Sequence, residues 1–313
     1  KMRKKKYYPA EVLHLQQQNS GNNYSPRTAG EFWKIKKRKI SIGNSQVDTV
    51  RTRFKENNKT PFFVSRSKVD LFFKCPRCFY FVMKYGFREP GSFPLSLNNL
   101  VDACVKNDMD YCRLHDRIHP VFTQSNLDLK PYNPEDFSTV QRWRDDMKSY
   151  IGATHLYKKY NWLLCGIIDD IMINNDGELV IIDFKSTTKP QDLNKIDEVP
   201  FSAGLKIQLE WYNWLFIQKG FKVDNTAYLV YYNAIQDKHL QSSEDYSLMR
   251  FRRSAISVEC ELDWIETAID AMYECLKSSE PPKQDYYIFK GKERNKCDQC
   301  AYLNKYLELN QSQ

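Results

Sequence analysis

Residues 162–185 read WLLCGIIDDIMINNDGELVIIDFK, and they constrain the chain more than any other stretch. Two apolar runs rich in Ile and Val flank Asn174-Asn175-Asp176-Gly177, a strong hairpin-turn signal. The expectation is two strands joined by a tight turn. Yet Asp169, Asp170, Asp183 and Lys185 interrupt the apolar runs. A charge buried alone in a sheet costs several kcal/mol unless it is paired or binds a metal.

Side chains alternate across a strand, so Asp183 and Lys185 share a face. With the turn centred on Asn175-Asp176, Asp169 is expected on the neighbouring strand at about the height of Asp183. Asp170 points to the opposite face and is expected to be a salt-bridge partner. Two converging carboxylates beside a lysine suit Mg²⁺ or Mn²⁺, which take oxygen ligands and keep waters and phosphate oxygens. Such an ion lowers the pKa of a bound water and neutralises charge on a phosphate. Lys185 would orient or help deprotonate the attacking water. Gly166 would leave the backbone open for close substrate approach. The other reading of the same residues is a salt-bridged strand end, with Asp183 paired to Lys185 and no catalysis.

Nine cysteines form the second constraint. Cys75-Pro-Arg-Cys78 and Cys297-Asp-Gln-Cys300 are two C-x-x-C pairs; Cys104, Cys112, Cys165, Cys260 and Cys275 are scattered. No apolar run follows the basic N-terminal residues, so the expectation is no secretory signal, a reducing cytoplasmic setting, and metal thiolates instead of disulfides. Four thiolates in two such knuckles are what structural zinc prefers.

The charge is unevenly spread. The chain holds 47 Lys and Arg against 39 Asp and Glu, a net +8. Residues 1–60 hold 15 against 4, a net +11, and the rest hold 32 against 35, a net −3. The basic segment is expected to be largely disordered, with one short strand or helix near residues 47–54. It could serve as a DNA-binding arm or as a solvated tail. The working domain is expected over residues 61–313. No stretch approaches the ~18 apolar residues of a membrane span.

Elsewhere, periodicity and breakers predict helices over 68–85, broken at Pro76, over 97–112 carrying Asp102, and from 136 or 138 to 150. Residues 119–134 read as a long loop. An amphipathic helix is expected over 203–219, strands over 226–233 and 250–258, and a helix over 259–278. A last short helix should follow the second cysteine pair. The order predicts an α/β sheet with helices on its faces.

Gly166-x-x-Asp169, the hairpin, Ile181-Ile182-Asp183-x-Lys185, and a helix bearing Gln208-x-x-x-Tyr212 together resemble the PD-(D/E)XK nuclease superfamily, in particular its RecB-like branch. The resemblance spans roughly residues 61–306. It implies a restriction-endonuclease-like core: a mixed central sheet flanked by helices, with N- and C-terminal helical parts joined at the four-cysteine site. Asp169, Asp183 and Lys185 match the family's catalytic positions, and Gln208 and Tyr212 match residues it uses near DNA and the active centre. At i and i+4 those two share a helix face; the plainer reading is a core tyrosine capped by a glutamine. Asp102 occupies the place of a metal-binding residue on an upstream helix, which makes Asp102, Asp169 and Asp183 the implied metal ligands.

The resemblance further implies hydrolysis of DNA phosphodiester bonds in repair, recombination or defence. The expected substrates are single-stranded DNA or duplex ends, with a separate helicase or recombination protein as partner and no membrane. The alternative is a non-cleaving nucleic-acid-binding or scaffold protein of the same fold. Some RecB-like relatives hold a [4Fe–4S] cluster with one cysteine before the core and three after it; Cys75, Cys297 and Cys300 resemble three of these, the expected last cysteine near Tyr306 is absent, and Cys78 makes up the count as two plus two. Iron–sulfur and zinc therefore both stand for that site.

Overall fold

The computed structural model describes residues 38–42, 45–49, 53–57, 61–86, 95–145, 152–198, 202–236, 241–242, 247–289, 292–295 and 297–311. In chain order the first elements are β1 (Arg38–Ile42), β2 (Ser45–Thr49), β3 (Phe62–Ser65), α1 (Arg66–Lys74), α2 (Pro76–Tyr85) and α3 (Ser96–Leu114). Next come α4 (Pro120–Gln124), β4 (Lys130–Pro131), α5 (Phe137–Asp145), β5 (Ala153–Tyr157), β6 (Trp162–Gly166), β7 (Asp170–Ile173) and β8 (Leu179–Thr187). The remainder is α6 (Ser202–Gln218), β9 (Thr226–Ala234), β10 (Gln241–Ser242), β11 (Ser247–Leu248), β12 (Phe251–Glu259), α7 (Trp264–Lys277), β13 (Tyr286–Phe289), β14 (Lys292–Asn295) and α8 (Asp298–Gln311). The protein is thus mixed α/β, with mixed sheets flanked by helices.

The chain divides into two units. The first takes residues 94–153 and 166–261 of the described chain and holds a five-stranded sheet in the order β12-β9-β8-β7-β4. β7 and β8 form the antiparallel hairpin that the turn signal predicts. Asn174 closes that turn: its Oδ1 accepts from the backbone N–H of Asp176 at 3.0 Å and of Glu178 at 2.9 Å. Gly177 supplies the positive φ of 73°. β8 then runs parallel to β9, and α6 lies on the crossover between them, as a parallel pair requires. β12 closes the edge antiparallel to β9.

One face of this sheet packs on α3 and α4, where Val180, Ile182, Phe184 and Val230 meet Val105, Met109, Val121 and Phe122. The alternate residue Asp183 points the other way, to α6. That helix is not amphipathic as expected. Residues 208–216 are buried without interruption, so α6 is enclosed on all sides, and its polar members are bonded. Asn213 Nδ2 donates to Asp224 O at 2.9 Å, and Glu210 Oε1 accepts from the Glu261 N–H at 3.0 Å.

The predicted two-strand unit is also corrected at its start. The first run is two separate strands: β6 pairs with β3 in a three-stranded sheet, and β7 belongs to the five-stranded one. The chain leaves strand geometry at residues 167–169, where the Ile168 N–H donates to Trp143 O at 3.0 Å. Asp169 therefore sits on the turn into β7, off the ladder.

The second unit takes residues 36–93, 154–165 and 262–313. Its core is aromatic: Phe54, Phe62, Trp162 and Tyr273 interlock, and Tyr160 stacks on Tyr273 with centroids 3.8 Å apart. The break predicted at Pro76 is present. α1 stops at Lys74, Cys75 is extended, and α2 restarts with Pro76 in its first turn, where a missing N–H costs nothing. The antiparallel hairpin β1–β2 lies inside the segment expected to be mostly coil. Residues 1–35, at the start of the basic segment, lie outside the described residues. Among the described helices none is long and apolar enough to cross a membrane.

Candidate active site and thiolate centre

Asp183 anchors the first site. It sits at the middle of β8, in register with Leu229 of the parallel strand β9, and is fully buried, with Lys185 two residues nearer the strand's carboxyl end. Open sheets characteristically bind ligands beyond the carboxyl ends of parallel strands. Oδ1 of Asp183 accepts from Gln208 Nε2 at 2.5 Å, and Oδ2 accepts from Lys185 Nζ. Burial and the neighbouring Asp169 carboxylate push the Asp183 pKa up to about 7, against the pull of Lys185.

Asp169 faces Asp183 from the turn before β7. Its Oδ2 accepts from the Phe184 backbone N–H at 2.8 Å, across the hairpin register in which Asp170 lies opposite Ile182. The expected height is therefore correct, although the carrier is a turn and not a strand. Leaving the ladder frees the Asp169 carboxylate to bend toward the middle of β8.

Gln208 and Tyr212 lie one turn apart on α6. Gln208 Nε2 also lies 3.4 Å from the Tyr212 hydroxyl, so the amide bridges tyrosine and aspartate. Gly166 serves this arrangement instead of opening a path for substrate. A Cβ there would stand 2.5 Å from Tyr212 Cε1, so only glycine lets the ring lie against the chain. Tyr231 of β9, beside Lys185 in register, has its pKa pushed up to about 12 by burial and by Asp183.

Asp102 approaches from α3, where Lys106 intervenes. Lys106 Nζ lies 2.9 Å from Asp102 Oδ2 and 3.7 Å from Asp169 Oδ1. Burial disfavours the ammonium, but Asp169 and Asp102 outweigh it and raise the Lys106 pKa. Burial likewise raises the Asp102 pKa. The sequence analysis missed Lys106. The available signal was its spacing, since i and i+4 share a helix face.

Asp170 does point away, as expected, into a closed four-charge network. Arg113 Nη2 donates to Asp170 Oδ1 at 2.5 Å, and Arg144 Nη1 to Asp170 Oδ2 at 2.8 Å. Asp110 accepts from Arg144 at 2.7 and 2.8 Å and from Arg113. All four side chains are at most 5% exposed. Two carboxylates and two guanidiniums balance, and together they lock α3 and α5 to the start of β7. The residue next to Asp170 is Asp169, so this network fixes where the site's carboxylate begins.

The thiolate centre lies in the second unit. All four thiols of Cys75, Cys78, Cys297 and Cys300 fall within 4.8 Å of one another. The separations are 3.7 Å for Cys75–Cys300, 3.6 Å for Cys78–Cys297 and 3.5 Å for Cys78–Cys300. The helix break builds the first half: extended Cys75 turns its sulfur back to accept from the Cys78 N–H at 3.4 Å. The second half sits at the start of α8. Burial opposes ionisation of Cys297, but the Cys300 backbone N–H and the Cys78 and Cys300 thiols outweigh it and lower its pKa. Burial and neighbouring thiols raise the pKa of Cys78, and burial pushes Cys300 up to about 12. Such a cluster could bind a metal, which would replace the protons it holds.

A family model described as the PD-(D/E)XK nuclease superfamily matches residues 64–304. The chain belongs to that superfamily. Its members are generally nucleases that use divalent metal ions. No curated protein matches the chain. Among solved structures, that of SSO0001 aligns with 73% of this chain and 81% of its own, at 16% identity and a TM-score of 0.30. That likeness is too slight to carry an argument.

Proposed function

We propose that this protein is a Mg²⁺- or Mn²⁺-dependent deoxyribonuclease of the RecB-like type. The observation that carries the reading is the meeting of Asp169 and Asp183 beside Lys185 on β8, with Asp183 gripped by Gln208. A carboxylate whose pKa is driven up by burial and then by a neighbouring carboxylate is an incomplete arrangement on its own. It becomes favourable when a cation joins it. The donors are hard oxygens, which fits Mg²⁺ or Mn²⁺ and not a thiophilic ion.

Asp169 and Asp183 would hold the ion, which supplies a water of lowered pKa and charge neutralisation at the phosphate. Lys185, whose side chain is 29% exposed, can turn from Asp183 to the water or the scissile phosphate. Gln208 orients Asp183, and Tyr212 backs Gln208 against Gly166. DNA as substrate, as single strands or duplex ends, and work in repair, recombination or defence beside a separate helicase or recombination protein complete the reading.

For the thiolate centre we favour a single tetrahedral zinc ion over a [4Fe–4S] cluster. Zn–S bonds of about 2.3 Å place tetrahedral sulfurs about 3.8 Å apart. Three of the six sulfur pairs are 3.5 to 3.7 Å apart, and all four sulfurs lie within 4.8 Å of one another. A cubane, which fills the space between its four thiolates, needs them further apart. Metal analysis tests this: a colourless protein carrying zinc supports it, and a brown iron-containing protein refutes it.

The nuclease reading is tested on single-stranded and end-bearing duplex DNA with Mg²⁺ or Mn²⁺. Cleavage that disappears in Asp183→Ala and Lys185→Ala supports it. Wild-type protein that leaves every DNA form intact sinks it.

A further inference from the structure

We propose that Lys106 is the resident second cation of the acidic site, making it a one-metal centre. The inference rests on the nuclease reading above. Three carboxylates, Asp102, Asp169 and Asp183, converge there with two ammonium groups, Lys185 and Lys106. Lys185 takes the Asp183 end. Lys106 takes the opposite end, 2.9 Å from Asp102 and 3.7 Å from Asp169. Only 16% of its side chain is exposed, so it is held inside the site and does not hang over it.

Charge decides how many metal ions fit. Three carboxylates and two ammoniums leave a net −1. One divalent ion brings the site to +1, which a phosphodiester cancels. Two divalent ions with Lys106 in place would bring it to +3, within a few ångströms and largely out of water. At an effective dielectric of ~20, two unit charges 4 Å apart already repel by about 4 kcal/mol. A second divalent ion must therefore expel Lys106, and expulsion is opposed by the two carboxylates that hold the ammonium. Asp102 acts accordingly as the positioning residue for Lys106, leaving Asp169 and Asp183 for the ion.

The test counts ions. Mn²⁺ is titrated calorimetrically into the full chain at pH 8, and the loaded protein is examined by electron paramagnetic resonance for coupling between neighbouring ions. Wild type should bind one ion at this site and show no coupled pair. Lys106→Met, with Lys106→Gln as a second variant in case the first folds poorly, should bind two ions and show a coupled signal. Lys106→Arg, which keeps a cation, should return to one.

Two ions in wild type would overturn the proposal. So would one ion of unchanged affinity in both neutral variants, or a second ion in Lys106→Arg. If neither wild type nor any variant binds Mn²⁺, the nuclease reading fails and takes this inference with it. The other failures leave that reading standing.

Discussion

Replacing Asp183 by asparagine should make the metal-free protein more stable. The folded protein raises the Asp183 pKa from 3.8 to about 7, chiefly by burial and then by Asp169. At ~1.36 kcal/mol per unit, a shift of about three units is a penalty of about 4 kcal/mol. The sign follows from proton linkage: a carboxyl with a raised folded pKa binds its proton more tightly in the native state, so stability falls as pH rises. The penalty begins near pH 3.8, grows through the interval, and levels off above about pH 7. Asparagine has nearly the same shape and keeps an oxygen for Gln208 Nε2. Lys185 loses its partner, but 29% of it already reaches water, which limits that loss to about 1–2 kcal/mol. The expected gain at pH 8 is then about 2–3 kcal/mol, a rise in Tm of several degrees. Thermal unfolding in buffer free of Mg²⁺ and Mn²⁺ measures it at pH 8 and pH 5. The advantage should shrink by more than half at pH 5. Added Mn²⁺ should stabilise wild type and leave Asp183→Asn unmoved. An asparagine variant that melts at or below wild type at pH 8, or whose advantage widens as pH falls, would refute the reasoning.

Arg144→Met strands Asp110 and Asp170 with one guanidinium between them; urea denaturation should show a loss of about 3–5 kcal/mol, the cost of breaking a buried ion pair. Gly166→Ala pushes a methyl into the Tyr212 ring; the loss should be about 1–3 kcal/mol by the same assay, with Tyr212→Leu in the same chain restoring part of it. Cys300→Ser removes one of four thiols; elemental analysis should show most of the bound metal gone, with Tm lowered in a metal-dependent way.

The sequence made Asp183 and Lys185 legible because charge in an apolar strand has few explanations, and the strand period placed both on one face. The turn at Asn174 to Gly177 was equally plain, since its side-chain bonds are local. Strands 226–234 and 251–259 also lie where runs without breakers put them. Legibility failed where partners are remote in sequence. The chain leaves the ladder at residues 167–169 because Ile168 bonds to Trp143, twenty-five residues earlier, and nothing local marks that. The burial of α6 on every side depends on what surrounds it, so its Gln, Glu and Asn read as a polar face that does not exist. The segment 119–134 looked like loop because Asn and Pro dominate it, yet it contributes α4 and the two-residue edge strand β4, set by pairing with β7.

The same distinction explains which charges could be assigned. Asp170 and Asp169 are adjacent and chemically identical, but Asp170 begins β7 while Asp169 lies on the turn before it. What each one meets comes from elsewhere: Arg113 and Arg144 neutralise Asp170 completely, so it is spent on holding β7 in place. Asp169 receives one backbone N–H and a more distant ammonium, so much of its negative charge is left for the site. Asp183 is buried, raised in pKa and gripped by an amide, and it shares its lysine with the solvent edge. A fold spends its arginines where a carboxylate must never change partners. It places lysines, whose single ammonium can swing away, where one must. Lys185 and Lys106 are both of that second kind, and both stand at the carboxylates of the proposed metal site.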